Sequence, residues 1–221
     1  MDERYYQVVE QDSLAQKLAV AARRRIYQTF LKFCQPQPNS RILDIGVSDT
    51  PHDIANIFER SYPHLENVTA VGLGEGMHFR RDYPPIAYHQ VAPDQRLPFT
   101  DKAFDIVLSN AVLEHTGSVE KQRHFVAEHL RLGRQIFITV PNRYFPVEHH
   151  TAIPLMHYSN TTFTFACRLL GKSEWIDSER LILMTKDRLR ALVPPGADYR
   201  IGTTGFNLGT FSSNLYLYMK G

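Results

Sequence analysis

The stretch ILDIGVSDTP, residues 42–51, decides the class of fold, because an apolar strand in it runs directly into a tight turn. Asp44 is the first polar residue of the strand, and Gly46 permits a turn at positive φ. A glycine-rich nucleotide-binding loop would place two more glycines where this chain has Ser48 and Thr50. The stretch therefore predicts a strand and a ligand-binding turn with altered turn chemistry.

Outward from this stretch, strands alternate regularly with helices. The predicted strands are RILDI, NVTAVGL, IAYHQV, AFDIVLS and RQIFITV, and the predicted helices are residues 12–34, HDIANIFER, MHFRRDY and SVEKQRHFVAEHLRLG. Strands rich in Val and Ile without polar alternation are buried on both faces of a sheet. This order predicts an α/β fold with a doubly wound, mostly parallel sheet and helices on both faces.

The C-terminal part departs from that alternation. A helix is predicted over residues 185–192, and both DYRIGTTGF and SNLYLYMKG have the character of strands. Too few residues lie between them for a helical crossover, so we expect an antiparallel hairpin. The hairpin brings the predicted sheet to seven strands.

We expect one domain over residues 1–221. Residues 1–40 form an N-terminal helical segment of this domain, and residues 142–184 form an aromatic, proline-containing insertion after a sheet strand. Such insertions cover the carboxyl ends of the strands, where ligands bind. Trp175, Phe163, Phe165 and Tyr158 could stack on a substrate there, although a small core of the insertion is the simpler interpretation.

Composition limits the possible partners and compartments. The two cysteines lie far apart and predict reduced thiols, and no apolar run is long enough to span a bilayer. The polar start MDERYYQVVEQD is not a signal peptide, so we expect a cytoplasmic protein. A net charge of +2 with interspersed acids gives no indication of nucleic-acid binding. The oligomeric state is left open.

Four predicted strand ends carry the residues with binding chemistry. They are Asp44-Ile45-Gly46-Val47-Ser48, Gly72-Leu73-Gly74-Glu75, Pro93-Asp94 followed by Gln95, and Ser109-Asn110-Ala111 continuing to Glu114-His115. In an open parallel sheet these ends meet at one edge, near the switch in strand order. They therefore predict one ligand site.

Together these ends resemble the class I S-adenosylmethionine-dependent methyltransferases. The most specific block is LPFTDKAFDIVLSNAVLEH followed by IFITVPN, and the resemblance runs over about residues 40–160. VSDTPHDIANIFERSYP, TAVGLGEG and PNRYFPVEHHTAIPLMHY further resemble a bacterial subgroup of type 11-like methyltransferases. The resemblance implies a Rossmann-like sheet, S-adenosylmethionine as methyl donor, S-adenosylhomocysteine as product, and a small glycan-type or lipid-linked acceptor.

The resemblance also implies which residues hold the cofactor. Gly46 approaches the methionine portion, and Asp94 bonds the adenine amino group. The acid that usually binds the ribose hydroxyls would fall at Gly72, so Glu75 is predicted to replace it. The full predicted set is Asp44, Gly46, Val47, Ser48, Gly72, Leu73, Glu75, Asp94, Gln95, Asn110 and Ala111.

Histidines near the same edge are the predicted catalytic residues. His115 follows the strand that carries Asn110, and His149 and His150 follow the strand that ends at Pro141. A neutral histidine could take a proton from an acceptor hydroxyl, although His115 could equally shape its loop by bonding a carbonyl. No metal site is predicted: His149, His150 and His157 lie near Glu148, but no cysteine or second carboxylate in the insertion completes a ligand set.

Two other functions remain open. The glycines of GLGEG followed by Asp94 resemble a dinucleotide fingerprint, but Met77 occupies the expected place of the third glycine. The replaced glycines at Ser48 and Thr50 also allow a non-catalytic protein that keeps the fold as a binding or scaffold subunit.

Overall fold

The computed structural model describes residues 14–50 and 56–221. Predictions for residues 1–13 and for 51–55, the first part of HDIANIFER, lie outside the described residues. The strands are β1 (Ile42–Ile45), β2 (Val68–Gly72), β3 (Ala87–Gln90), β4 (Phe104–Asn110), β5 (Gly133–Pro141), β6 (Asp198–Leu208) and β7 (Phe211–Lys220). The helices are α1 (Leu14–Cys34), α2 (Ile57–Ser61), α3 (Met77–Asp82), α4 (Val119–Leu132), α5 (Asn160–Leu169) and α6 (Lys186–Leu192).

All seven predicted strands form one sheet in the order β3-β2-β1-β4-β5-β7-β6. The first five are parallel, with Ile42 of β1 opposite both Val68 of β2 and Ile106 of β4. β7 pairs antiparallel with β5 and with β6. The predicted doubly wound, mostly parallel sheet with a C-terminal antiparallel hairpin is therefore confirmed.

Apolar side chains cover both faces of the sheet. On one face Phe30 of α1 packs edge-on against Phe58 of α2 and Phe137 of β5, with ring centroids 5.3 and 5.7 Å away. A second cluster, which includes Leu43 and Leu132, packs beneath α4. Burial on both faces explains why the strands show no polar alternation in the sequence.

The insertion, residues 142–184, has a small core of its own. It contains α5 and buries Ile153, Phe163 and Cys167. Trp175 packs against this core, whereas Phe165 is 62% exposed. The simpler interpretation of the aromatic residues is thus confirmed for Phe163 and Trp175.

Among the described residues, no helix combines the length and the apolar character that crossing a membrane requires.

Candidate active site

The carboxyl ends of β1, β2 and β4 meet at the switch in strand order, and we call the surface beyond these ends the cofactor crevice. β1 lies between β2 and β4, so the chain leaves β1 toward one side of the sheet and returns on the other side. This is the place where open α/β sheets bind ligands. The predicted cofactor residues therefore lie at one edge of the sheet.

Gly46 makes the turn after β1 in a conformation that favours glycine, with φ at +95°. Its amide donates to the carbonyl of Val71, and a Cβ atom placed on it would lie 2.4 Å from a methyl carbon of Val112. The glycine is thus required both by the backbone and by the residue that follows β4.

Side-chain bonds replace the missing glycines in the rest of this turn. The amide and carbonyl of Ser48 bond the side chain of Asn56 at 3.0 and 2.8 Å. The carboxylate of Asp49 accepts from the amides of Gly76, Met77 and Phe79 at 2.9–3.2 Å. Asp49 therefore caps α3 and holds the turn after β1 against the start of that helix.

The carboxyl of Asp44 faces Glu59 of α2. Both side chains are buried, and the two carboxyls are hydrogen-bonded to each other. Burial raises the pKa of both groups: that of Asp44 lies well above its usual range, and that of Glu59 is about 7. One proton shared by the pair explains how two carboxyls can lie together in the core.

At the end of β2, the hydroxyl of Tyr88 occupies the space that a side chain on Gly72 would need. A Cβ atom on Gly72 would come within 2.7 Å of the Tyr88 hydroxyl, which donates to the carbonyl of Gly74 at 2.6 Å. Leu73 and Glu75 are exposed beside it. Because Asp49 caps α3, Glu75 is not needed for that purpose and can face the crevice.

At the end of β3, Asp94 has a positive φ of 59° and is bound by Lys121 of α4 at 3.2 Å. The same ammonium group bonds Glu179 of the insertion at 3.0 Å. Lys121 therefore connects a predicted adenine-binding residue to the insertion. Gln95 is exposed next to Asp94.

At the end of β4, Asn110 is fixed by a bond from the Thr139 hydroxyl to its side-chain oxygen, 2.6 Å long. Ala111 follows with a φ of 56°, a backbone angle that residues other than glycine rarely adopt. Its amide donates to the Thr139 carbonyl. Strain of this kind persists where the surroundings enforce it, and it is common at functional sites.

The groups at these strand ends are chemically compatible with the cofactor that the resemblance implies. The exposed surface there offers the backbone of Gly46, the apolar Leu73 and the carboxylates of Glu75 and Asp94. These groups complement a ligand with a purine face, ribose hydroxyls and an amino-acid end. S-adenosylmethionine, when bound, supplies an activated methyl group, so the protein mainly has to align the acceptor and exclude water.

Two of the three predicted catalytic histidines meet just beyond β4. The Nε2 atoms of His115 and His150 lie 3.1 Å apart, although 34 residues separate them in the chain. His115 Nδ1 lies 2.6 Å from the carbonyl oxygen of Arg180, and His150 Nδ1 lies 2.9 Å from the carboxylate of Glu148. We call Glu114, His115, Glu148 and His150 the histidine cluster.

Hydrogen-bond partners determine the protonation of the two rings. A carbonyl can only accept, so Nδ1 of His115 carries a proton, and burial lowers the pKa of this ring to about 4. Burial alone would lower the pKa of His150, but its bond and attraction to Glu148 raise it above the usual value. Without another cation, His150 is therefore charged and donates from Nε2 to His115.

Glu148 is the anchor of the cluster in the insertion. Its carboxylate accepts from the ring and amide of His150 and from the amide and hydroxyl of Thr151. Burial opposes ionisation, but these bonds and the charge of His150 hold the pKa of Glu148 at about 2. In the sequence, the signal for the pair of Glu148 and His150 was an acidic residue two positions before a histidine in a loop.

His149 does not join the histidine cluster. The residue is exposed to solvent, and its ring lies near that of Phe145, with centroids 6.2 Å apart. It lines a pocket beside the cluster together with Glu114, Asn142 and Arg143. The two adjacent histidines therefore have different partners: His150 contacts His115 and Glu148, whereas His149 lies near Phe145, although both line the pocket.

Glu114 belongs to the cluster and was not assigned a role from the sequence. Its side chain is 1% exposed, and one carboxylate oxygen lies 4.0 Å from His115 Nε2. Neither of its carboxylate oxygens has a hydrogen-bond partner among the described residues. Burial raises the pKa of Glu114 to about 7. Its position directly before His115 at a strand end was the available signal.

Comparisons with known proteins agree with this geometry. Residues 43–135 match a family model described as a methyltransferase domain. A comparison with curated proteins gives no significant match.

Solved structures with this fold include a methyltransferase from Mesorhizobium loti that depends on S-adenosylmethionine, with 16% identity and a TM-score of 0.57 over 89% of this chain and 98% of that one. Magnesium protoporphyrin IX methyltransferase from Synechocystis, solved with bound S-adenosylhomocysteine, is 15% identical, with a TM-score of 0.57 over 99% and 91%. A methyltransferase from Aquifex aeolicus is 13% identical, with a TM-score of 0.52 over 93% and 95%.

Identities this low show a shared fold, whereas the domain match identifies the kind of enzyme. The matched segment extends from β1 to the start of β5 and contains all four strand ends of the crevice. The matched residues 43–135 cover less than half of the chain. Together with the fold shared with S-adenosylmethionine-dependent methyltransferases, the match supports a methyltransferase enzyme of class I.

Proposed function

We propose that the protein methylates an oxygen atom of a small glycan-type or lipid-linked acceptor. The observation that carries the proposal is the contact between His115, which follows β4, and His150 of the insertion. This contact holds the insertion against the edge of the sheet where the cofactor crevice opens. The acceptor would lie between Asn110 and the insertion, which would cover it.

Polar and aromatic groups of the insertion suit an acceptor that carries hydroxyls. Tyr144 and Tyr158 form an edge-on pair with centroids 5.8 Å apart, and Tyr144 is 51% exposed. Such rings pack against the apolar faces of sugars. The Tyr158 hydroxyl donates to the carbonyl of Tyr144 at 3.2 Å and so fixes the pair. Trp175 instead packs on His150, with centroids 5.1 Å apart, and so supports the histidine cluster.

The direct experiment supplies methyl-labelled S-adenosylmethionine with three acceptor panels: nucleotide sugars, free oligosaccharides and polyprenyl-linked sugars. We expect one panel to yield a labelled methyl ether, which mass spectrometry and NMR identify. A product methylated on nitrogen or carbon would contradict the proposal, as would the absence of product from every panel while S-adenosylhomocysteine binds.

Variants then test where the acceptor lies. His115→Ala should lower turnover by about 10²-fold or more while affinity for S-adenosylhomocysteine stays unchanged. His124→Ala is the matched control, because His124 is exposed on α4 away from the cluster. Equal activity of both variants would remove the histidine cluster from the acceptor site.

A further inference from the structure

We propose that Glu114, His115 and His150 bind a divalent transition-metal ion. The candidate ligand atoms are one carboxylate oxygen of Glu114 and the Nε2 atom of each histidine. These atoms lie within 4.8 Å of one another. The site departs from the sequence-based expectation of no metal, because that expectation did not combine Glu114 and His115 with His150 of the insertion.

The separation of the two histidines suits one ion between them. Their Nε2 atoms are 3.1 Å apart. Two metal–nitrogen bonds of about 2.1 Å at that separation enclose an angle of about 95°. The Glu114 oxygen lies 4.0 Å from His115 Nε2, so the carboxylate needs a shift of less than about 1 Å to join them.

In both histidines the Nδ1 atom already faces an oxygen acceptor, as is usual for histidines that bind a metal through Nε2. Nδ1 of His115 faces the Arg180 carbonyl, and Nδ1 of His150 faces the Glu148 carboxylate. Metal-bound histidines almost always donate their other ring N–H to a carbonyl or carboxylate, which fixes the ring and makes it more basic. Both rings are thereby oriented so that their Nε2 atoms converge.

The environment of Glu114 favours a metal ion over a proton shared by the two histidines. A proton between the two Nε2 atoms satisfies the histidines, but it leaves both oxygens of the buried Glu114 without a partner among the described residues. A buried carboxylate without a partner is costly. One cation would satisfy all three side chains, and its double charge would balance Glu114 and Glu148.

The ligand types favour particular metals. Two imidazoles and one carboxylate suit zinc, iron(II), cobalt(II) or manganese(II) rather than calcium or magnesium, which prefer oxygen ligands. Three protein ligands leave a coordination position open, as in catalytic metal sites. Glu114 and His150 also line the pocket beside the cluster, so that position can face the pocket.

An open position beside the pocket deepens the proposed function, and this part of the inference rests on it. An acceptor hydroxyl bound to the ion would become more acidic, which favours transfer to oxygen. Metal binding itself is measured without acceptor or cofactor. It can therefore fail while methyl transfer to oxygen succeeds, and the reverse is also possible.

The experiment uses the full chain, treated with a chelator and dialysed. Zinc or cobalt(II) is then added, and the metal content per chain is measured together with the visible absorption of cobalt. We expect one ion per chain and a cobalt spectrum typical of mixed nitrogen and oxygen ligands. A folded wild-type protein that takes up neither zinc nor cobalt would overturn the proposal.

Variants locate the ion. Glu114→Gln and His150→Ala should each weaken metal binding by at least about 10²-fold, and Glu148→Gln, which acts through His150, by about 10- to 100-fold. His149→Ala is the matched control for metal binding, since this neighbouring histidine lies outside the cluster. Circular dichroism and S-adenosylhomocysteine binding verify that each variant is folded.

If His150→Ala does not fold, Glu114→Gln decides, because it keeps the shape of a buried side chain. Loss of metal from His149→Ala alone, or unchanged affinity in folded Glu114→Gln and Glu148→Gln, would place the ion elsewhere and overturn the assignment.

Discussion

Asp49 shows how one side chain can replace the function of glycines in a binding turn. Its carboxylate accepts from three backbone amides at the start of α3, which would otherwise have no helical partner. The turn after β1 is therefore held by side-chain bonds across 27 to 30 residues of sequence. A glycine-poor loop can still present an ordered backbone to the cofactor.

Replacing Asp49 by alanine should lower the free energy of unfolding by about 1–3 kcal/mol, because buried amides lose their acceptor. Asp82→Ala is the control: this exposed residue of the same helix pairs with Arg81, and ion pairs at the surface contribute little to stability. Urea denaturation measures both variants. Equal losses would show that Asp49 does not act as the cap of α3.

Glu75 carries the prediction about the ribose. It is exposed next to the end of β2, and Asp49 rather than Glu75 caps the following helix. Glu75→Gln should weaken binding of S-adenosylhomocysteine, because a neutral amide accepts the ribose hydroxyls less strongly than a carboxylate. Calorimetry measures the loss.

The control ligand is an analogue without the ribose hydroxyls, whose affinity should hardly change in Glu75→Gln. Equal losses for both ligands would assign the ribose to another group at the end of β2.

At the level of elements, the contact between β1 and α2 depends on the protonation of Asp44 and Glu59, of which Glu59 is the first to ionise in the folded protein as the pH rises. The folded-state pKa of Glu59 is about 7, raised mainly by burial. A glutamate in the unfolded chain titrates near about 4.3. The unfolded state therefore releases this proton first as the pH rises.

As the pH rises from about 4.3 to 7, we accordingly expect the titration of Glu59 to lower the free energy of unfolding by at most about 1.4 kcal/mol per pH unit. Above that range Glu59 causes no further change. Its stabilising contribution is complete below the unfolded pKa. In Glu59→Gln this part of the pH dependence should disappear. Denaturant unfolding from pH 4.5 to 8 gives the comparison.

Glu66→Gln is the matched control for this comparison, since Glu66 is 65% exposed and should keep the wild-type pH profile. A Glu59→Gln profile parallel to that of the wild type would mean that the protonation of Glu59 does not differ between the folded and unfolded states in this pH range.

In the whole molecule, α1 joins the parallel part of the sheet to α2 through one aromatic cluster. Phe30 is 2% exposed and contacts both Phe58 and Phe137. Phe30→Ala should lower the free energy of unfolding by about 3–5 kcal/mol, because a cavity forms between these elements. Phe165→Ala, at an exposed position, should stay within about 0.5 kcal/mol. Similar midpoints in urea for both variants would contradict this account.

The order and type of the elements could be predicted from the sequence because neighbouring residues determine them. The apolar runs around Leu43 and Val107 and the helical spacing before Leu132 depend on periodicities of a few residues. Once strands alternate with helices, the parallel sheet follows, and so does the edge at which a ligand binds. The strand ends therefore indicated the cofactor crevice.

The tertiary structure decided which side chains meet at that crevice. His115 faces His150 and the Arg180 carbonyl because the insertion folds back over the end of β4, whereas His149, one residue away, points elsewhere. No local pattern encodes such contacts, since they depend on the path of a long loop with a core of its own. The sequence by itself determined the fold and the methyl donor, and only the packing of the insertion brought His150 to the buried Glu114 and to His115.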